Sequence, residues 1–239
     1  LHSFPTRRSS DLEGLVQSWK DIFPKKGEIY FAGALENNED TGTLQYLAST
    51  AMEAGFSTRV LDMQALDLQN GRFFDPAGEL VNRCFKLYPW EWMVDESPDG
   101  CLAEMEWLEP IWKLVMSNKA ILATLYELFP DSPYVLPCYL SRPRSGLFCK
   151  KPVFSREGHN VSVVDIRNWE EHVRIAETEG DYNTGAYVYQ EYVEPTVYSG
   201  RYPVIGSWII GGEAAGIGIR ENRMEVTDNL SEFVPHIIG

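Results

Sequence analysis

The sequence of 239 residues lacks the local signatures of several common classes of site. It contains no GxSxG, HExxH or Walker A motif, which excludes the most common signatures of a nucleophilic serine, a catalytic zinc and a P-loop. Its four cysteines, at positions 84, 101, 138 and 149, are far apart and form no CxxC pair. We therefore expect neither a zinc site nor a disulfide framework, and a reducing compartment is the simpler interpretation.

Long apolar runs and positive charge are also scarce. No apolar run approaches the roughly 20 residues that a membrane-spanning helix needs, and no signal-peptide core is present, so we expect a cytoplasmic protein with no membrane partner. The 35 acidic residues outnumber the 21 Lys and Arg, which gives a formal net charge of -14. This balance argues against a nucleic-acid partner. It is compatible with a cationic substrate and equally with an ordinary acidic cytosolic protein.

The first twelve residues, LHSFPTRRSSDL, differ from everything that follows. They show no periodicity and precede an abrupt change to amphipathic sequence. They resemble a translated sequencing adapter, so we treat 1–12 as a non-native segment and exclude it from fold prediction. A native basic arm is the alternative. If the segment is not native, we expect that the true N-terminal part has been lost.

Two regions of different character follow. Residues 13–100 predict a βαβ domain with a parallel sheet, because strand, helix and strand succeed one another with short connections. Residues 101–239 predict a mixed antiparallel α+β lobe, so the fold class is α/β plus α+β. The elements of the first region are helices over 13–23 and about 40–54, closed by Gly55, strands over 28–34 and 56–63, and a turn at Asp75–Gly78 between two further strands. Those of the second are two helices within 102–129 that meet near Ser117–Asn118, strands over 147–154 and 185–193, a charged helix and loop over 165–185, and a strand pair within 202–220 that turns at Gly211–Gly212.

The strongest candidate site lies where the 147–154 strand ends. A lysine projecting from a strand beside a glycine-containing turn can neutralise phosphate oxygens, and backbone N–H groups of the turn can cap the same phosphates. Lys150 and Lys151 alternate across the strand, so only one of them can face a ligand. The turn is Ser155–Gly158. The alternative is a basic edge-strand pair with a surface turn.

Three weaker candidates accompany it. Gln190–Val193 continues a strand whose backbone could recognise an adenine, or it is an ordinary strand with one exposed face. Arg220 ends a glycine-containing strand and could bind a phosphate or carboxylate bidentately, or form a terminal salt bridge. Lys119 lies at a helix start, where an anion is favoured, or is simply solvated.

Together these segments resemble the synthetase of the glutathionylspermidine synthase family, and in particular its stand-alone bacterial acid–amine ligases. The resemblance covers residues 13–239. The matching stretches, in family order, are FKLYPWEWM (85–93), EPIWKLVMSNKAILATLYELFP (109–130), KKPVFSREGHNV (150–161), VYQEYV (188–193), YPVIGSWIIGGEAAGIGIRE (202–221) and FVPH (233–236).

The resemblance implies an ATP-grasp fold preceded by a pre-ATP-grasp βαβ domain, with 13–100 as that domain and 101–239 as the nucleotide-binding lobe. It implies that two lysines contact the ATP phosphates and that an arginine lies near the transferred phosphate or the acid substrate. The residues that match the family's functional positions are Lys119 and Lys151 (phosphate lysines), Ser155, Arg156, Glu157 and Gly158 (phosphate-covering loop), Gln190, Glu191, Tyr192 and Val193 (adenine strand), Arg220 (the arginine), and, in a loose alignment, Glu39 and Asp40 (amine substrate).

The reaction implied is amide formation through an acyl phosphate, with ATP and Mg²⁺ as cofactors and a small acid such as glutathione and a polyamine such as spermidine as partners. The family's Mg²⁺ ligands lie in an R-x-D motif and an E-[YF]-N-x-[DN]-T-P-T motif, and neither occurs here. We therefore expect the metal ligands outside this sequence, and a chain that does not turn over by itself.

Two other hypotheses stay open. One is a catalytically inactive nucleotide-binding or regulatory module of the same fold, and the other is an α/β interaction domain with no ligand. The residues name neither the acid nor the amine, and they leave an upstream amidase domain and the oligomeric state undetermined.

Overall fold

The computed structural model describes residues 10–175, 178–180, 182, 185–226 and 231–236. They fall into two compact units. The first takes the chain up to Leu114 together with Ser207–Gly216, and the second takes Val115–Gly206 and the chain from Ile217 onward. No helix within the described ranges is long and apolar enough to span a bilayer. Most of the suspected adapter lies outside these ranges, and Ser10 begins the first helix.

The first unit is built on a four-stranded parallel sheet in the order β2-β1-β6-β7. The predicted βαβ unit and its parallel pairing are confirmed. The elements are α1 (Ser10–Ile22), β1 (Glu28–Gly33), α2 (Asn38–Glu53), β2 (Ser57–Asp62), β3 (Asp67–Gln69), β4 (Arg72–Phe74), β5 (Leu80–Val81), β6 (Arg83–Leu87), α3 (Trp90–Glu96) and β7 (Glu106–Leu108), with short 3-10 turns at Met63–Ala65, Pro98–Leu102 and Ile111–Lys113.

Helices α1 and α2 cover one face of this sheet. Trp19 of α1 packs edge-on against Phe31 of β1, with ring centroids 5.5 Å apart, and Leu44 of α2 is fully buried beside them. The Trp19 indole N–H donates to the hydroxyl of Thr50 at 2.8 Å, which satisfies two polar groups inside the core. Gly55 follows α2 with φ +93°, the left-handed conformation expected after a helix end.

The predicted turn at Asp75–Gly78 joins β4 and β5 of a small antiparallel sheet. One Asp75 carboxylate oxygen accepts from the amides of Ala77 and Glu79, both at 2.9 Å, as in an Asx turn. The other oxygen accepts from Arg59 at 2.7 Å and from the Tyr30 hydroxyl at 3.2 Å. Asp75 thereby ties this turn to strands β1 and β2.

The second unit contains a five-stranded antiparallel sheet in the order β11-β10-β9-β12-β8. A separate sheet has the order β13-β14-β15, and its hairpin turns at Gly211–Gly212 as predicted. The elements from residue 114 onward are α4 (Leu114–Ser117), α5 (Ala120–Leu128), β8 (Cys138–Tyr139), β9 (Gly146–Pro152), β10 (Ser162–Arg167), β11 (Glu170–Ile175), β12 (Tyr187–Glu191), β13 (Tyr202–Ile210), β14 (Glu213–Asn222) and β15 (Glu232–Val234).

The prediction of two helices within 102–129 is only partly right. The chain does break at Ser117–Asn118, between α4 and α5, but Glu106–Leu108 is strand β7 rather than helix. Pro110 disfavours a helical conformation at the residue before it. Trp107 packs edge-on against Phe73 and Trp90, at 5.5 and 5.7 Å, so burial in the sheet outweighs the local helical pattern.

Of the charged helix and loop predicted over 165–185, the loop agrees with the described residues 178–180, 182 and 185, but the helix is wrong over 165–175. Strands β10 and β11 form an antiparallel hairpin there, and positions 176–177, 181 and 183–184 lie outside the described residues. The hairpin turns at Asn168–Trp169, both with positive φ (51° and 71°), the backbone of a tight two-residue turn. Glu170, His172 and Arg174 share one face of β11, and polar side chains fit a strand at the edge of a sheet.

Candidate functional site

The candidate site is built on strand β9, where Lys150 and Lys151 project to opposite faces of the five-stranded sheet. Across the ladder, Lys151 lies opposite Val188 and Lys150 lies opposite Tyr189. Directly paired residues in antiparallel strands share a face. Val188 is fully buried in a cluster that includes Ala123 of α5, so Lys151 lies on the face that α5 covers. Lys150 lies on the other face.

Lys151 is engaged by the adjacent strand. Its ammonium donates to the side-chain oxygen of Gln190 on β12 at 2.7 Å. Gln190 lies opposite Cys149, which places Cys149 on this same face. Burial raises the pKa of the Cys149 thiol, and the nearby Lys151 acts in the opposite direction. All four cysteines are free thiols in the structure.

Lys119 immediately precedes α5 and contacts the loop that follows β9. Its ammonium donates to the Ser155 hydroxyl at 2.9 Å and to the Ser155 carbonyl oxygen. Its backbone amide donates to the carbonyl of Val153 at 2.8 Å. Asn118 accepts from the amide of Ala120, the first residue of α5, at 2.9 Å. Lys119 is thus joined to the 155–158 loop by both main chain and side chain.

The opposite face carries a compact ionic cluster. Glu171 of β11 accepts from Lys150 at 2.8 Å and from the Tyr189 hydroxyl at 2.7 Å, and the Arg142 guanidinium lies 3.9 Å away. Burial acts to raise the pKa of Glu171, but the hydrogen bonds from Lys150 and Tyr189 outweigh it and the pKa is lowered. Burial and the Glu171 carboxylate raise the pKa of Tyr189. The Lys150 charge is therefore neutralised within the protein.

The Ser155–Gly158 loop contains a tight turn. The amide of His159 donates to the carbonyl of Arg156 at 2.8 Å, and the two central residues, Glu157 and Gly158, have φ of 54° and 74°. A positive φ is natural for glycine and unusual for glutamate. The loop therefore needs support from its surroundings to hold Glu157 in this conformation.

The Gln190–Val193 segment leaves the sheet at Glu191, the last residue of β12. The amides of Glu191 and Tyr192 donate to the carbonyls of Pro137 and Leu147 at 2.8 and 3.1 Å. Burial and the neighbouring Glu225 carboxylate raise the pKa of Tyr192 to about 12. The Glu191 and Tyr192 amides are therefore engaged by neighbouring parts of the chain.

The remaining predicted site residues belong to other elements. Arg220 is exposed on β14, with its guanidinium 5.8 Å from the Phe233 ring centroid. Glu39 and Asp40 belong to the first unit, in the first turn of α2, and their amides donate to Asn37 at 2.9 and 3.4 Å. Acidic residues are favourable at a helix N-terminus, so their position there has a structural explanation without a ligand.

Three residues close to the predicted site were not found from the sequence. Glu171 and Thr178 fall in the region interpreted as a charged helix and loop, and Glu225 lies beyond the last predicted strand. The alternation of polar and apolar residues over 172–175 is the signal that could have indicated a strand, which would place Glu171 on the face of Val173 and Ile175. In the described part of the chain, no group of three or more His, Cys, Asp or Glu side chains is arranged to hold a metal ion.

Comparison with known proteins identifies relatives across nearly the whole chain. The family model for the glutathionylspermidine synthase pre-ATP-grasp region matches residues 9–239. A protein of Haemophilus influenzae whose name places it among the acid–amine ligases is 36% identical over 236 residues, which is 94% of this chain and 60% of the relative. The bifunctional glutathionylspermidine synthetase/amidase of Escherichia coli K12 is 26% identical over 260 residues, covering 95% of this chain and 41% of that protein.

A solved structure shares the fold at low sequence identity. It is a protein of Methylobacillus flagellatus KT named as a gamma-glutamylcysteine synthetase, with a TM-score of 0.54 and 9% identity over 94% of this chain and 72% of that one. The chain is thus a mixed α/β protein that contains a parallel sheet. It spans about 60% or less of the length of the two curated relatives.

Proposed function

The chain belongs to the glutathionylspermidine synthase family, and from that premise we propose that it carries the nucleotide-binding part of an ATP-dependent carboxylate–amine ligase. The relatives' names make this a family of ligases. We also propose the activity of the whole protein, its substrates and the roles of individual residues. The second unit would be the ATP-grasp lobe, and the first the pre-ATP-grasp domain.

The observation that carries the proposal is that the two adjacent lysines on β9 have different hydrogen-bond partners. Lys150 is paired with the carboxylate of Glu171, whereas Lys151 donates to the neutral amide oxygen of Gln190. A carboxylate cancels the charge of an ammonium, but an amide oxygen does not. Lys151 therefore keeps a positive charge that can attract phosphate, on the face that also carries Gln190.

Lys119 and the Ser155–Gly158 loop complete the proposed phosphate site. Lys119 already contacts the loop through Ser155, so a phosphate placed between them would exchange a neutral acceptor for a charged one. Arg156 and Glu157 lie on the same loop and would contact the nucleotide. Gln190, Glu191, Tyr192 and Val193 would border the adenine, with the Glu191 and Tyr192 amides engaged elsewhere.

The proposed chemistry is amide formation in two steps. A substrate carboxylate oxygen attacks the γ-phosphorus of ATP, the bond to the β-phosphate oxygen breaks, and ADP leaves. The substrate amine then attacks the acyl carbon of the acyl phosphate, inorganic phosphate departs and the amine loses a proton. Lysines would neutralise the charge that develops on the transferred phosphate, and Arg220 is assigned to that phosphate or to the acid.

The substrate classes are proposed from the relatives. Trypanothione synthetase of Crithidia fasciculata is 36% identical over 130 residues, and the E. coli relative is named for glutathionylspermidine. We assign a glutathione-like peptide acid and a polyamine to the whole protein, with Glu39 and Asp40 as amine contacts. Mg²⁺ is proposed as a requirement of the whole protein, with no ligands assigned in this chain, which we expect to bind ATP without turnover by itself.

The binding site is tested by titrating ATP and adenosine into this chain by calorimetry. Lys119→Ala and Lys151→Ala should each lower the affinity for ATP by about ten- to hundredfold, the equivalent of one charge-assisted hydrogen bond. The affinity for adenosine should stay nearly unchanged. The arginine variants K119R and K151R, which keep the charge, should recover part of the loss. Unchanged ATP affinity in both alanine variants would overturn the site assignment.

Catalysis is tested on a longer version of the protein that matches the full length of its relatives. Release of ADP that depends on both an acid and an amine supports the ligase. ATP binding without ADP release for any acid–amine pair would instead support a catalytically inactive nucleotide-binding module. Sustained ADP release with the acid alone, at a rate that the amine does not change and with no amide formed, would contradict the second step.

A further inference from the structure

The Ser155–Gly158 loop and the residues that follow it are held from one side by a short segment. We call the described residues Thr178–Gly180 and Tyr182 the latch, and residues 155–161 the phosphate loop. The latch follows strand β11, whereas the loop follows β9. Their contacts therefore join two parts of the second unit that are separated by the whole β10–β11 hairpin.

Thr178 contacts residues 158, 160 and 161 of the phosphate loop. Its hydroxyl donates to the carbonyl of Gly158 and accepts from the amide of Val161 at 2.9 Å. Its backbone adds two bonds: the Thr178 amide donates to the Val161 carbonyl at 3.0 Å, and the Thr178 carbonyl accepts from the Asn160 amide at 3.1 Å. One threonine thus binds Gly158, Asn160 and Val161 together.

The rest of the latch packs against the middle of the loop. The Tyr182 amide donates to the Asn160 side chain at 2.9 Å, and the Tyr182 ring lies 5.8 Å from the His159 ring. Gly180 approaches so closely that a Cβ added there would lie 2.5 Å from the Cβ of His159. Only a glycine permits this contact without moving one of the two segments.

We propose that Thr178 is a positioning residue that holds the phosphate loop in its nucleotide-binding conformation. Glu157 has a φ of 54°, which a glutamate seldom adopts unless its surroundings hold it there, and Asn160 has a φ of 53°, which an asparagine adopts more readily. Thr178 fixes the carbonyl of Gly158, next to Glu157, together with the Asn160 amide and the main chain of Val161. This inference rests on the proposed nucleotide site, because it assigns Thr178 a role in binding phosphates.

The first test measures the loop without any nucleotide, by amide hydrogen exchange of this chain. Thr178→Val keeps the shape and removes the hydroxyl, and it should speed exchange in residues 156–161 by about two- to tenfold, the equivalent of one net hydrogen bond. Thr178→Ser should stay close to wild type, and Thr58→Val, in the other unit, should leave the loop unaffected. Unchanged loop exchange in T178V would overturn the latch.

A second variant covers the case in which T178V does not fold. Gly180→Ala places a Cβ against His159, so it should also speed exchange in 156–161, whereas Gly42→Ala has no heavy atom within 4 Å of the added Cβ and should not. If G180A folds with unchanged loop exchange, the latch does not hold the loop and the inference fails.

The final test separates positioning from a general structural role. T178V should lower the affinity for ATP by about two- to tenfold and leave the affinity for adenosine unchanged, because only ATP carries the phosphates that the loop would contact. Equal weakening of both ligands would overturn the positioning role. If the wild-type chain binds no ATP, the proposed nucleotide site fails, and the exchange data alone then show whether Thr178 holds the loop.

Discussion

Replacing Glu171 by alanine should destabilise the second unit, because one carboxylate holds three strands together. It accepts hydrogen bonds from Lys150 of β9 at 2.8 Å and from Tyr189 of β12 at 2.7 Å. The Lys150 and Glu171 side chains are 25% and 21% exposed, so removing the carboxylate leaves a mostly buried ammonium with less compensation. Hydrogen bonds that involve a charged group contribute about 1.5–3 kcal/mol each, and partial exposure reduces this. We expect a total loss of about 2–3 kcal/mol in the free energy of unfolding.

The assay is urea unfolding followed by circular dichroism at pH 7 and at several acid pH values. The folded pKa of Glu171 lies below its ordinary value, so its contribution is present above the ordinary glutamate pKa and is lost as the pH falls through the folded pKa. The difference between wild type and E171A should therefore shrink in acid. Glu104→Ala is the matched control, since its pair with Arg72 is 75% and 54% exposed and should contribute less than about 1 kcal/mol. An E171A effect no larger than that of E104A, or one that stays constant as the pH falls below the ordinary glutamate pKa, would refute the reasoning.

Two further predictions concern the first unit. Thr50→Val should cost about 1–3 kcal/mol in unfolding free energy, because it leaves the buried Trp19 indole N–H without its 2.8 Å acceptor, and Thr50→Ser should recover most of this in the same urea titration. Gly33→Ala should destabilise by about 1–3 kcal/mol, because its Cβ would lie 2.9 Å from Leu44. Gly42→Ala, inside α2 and with open space around it, should stabilise by up to about 1 kcal/mol, and a loss at both glycines would contradict the packing argument.

The first unit was predictable because its local patterns and its tertiary packing agree. Trp19 and Leu44 lie on the inward faces of helices whose apolar spacing is regular. Gly55 indicates a helix end because glycine readily adopts the positive φ found there. Strand β7 was missed because only three residues, Glu106–Leu108, pair with β6, and their burial depends on Phe73 from a distant part of the chain. No local pattern carries that information.

The candidate site was predictable only in part. The alternation of Lys150 and Lys151 follows from strand geometry, so their opposite orientation could be stated in advance. Which lysine is neutralised depends on Glu171, which lies on a strand that the charged composition of 165–185 concealed. The support of the phosphate loop by Thr178 likewise depends on a pairing across a hairpin, which the sequence does not indicate.

The most direct test of the central claim compares Lys151→Ala with Lys150→Ala in ATP titrations of this chain. The two lysines are adjacent, carry the same charge and differ in the face to which they project. We expect K151A to lower the affinity for ATP about ten- to hundredfold, and K150A to change that affinity by less than about threefold. Equal effects of the two substitutions, or a larger effect of K150A, would contradict the assignment of the nucleotide to the face that carries Lys151 and Gln190.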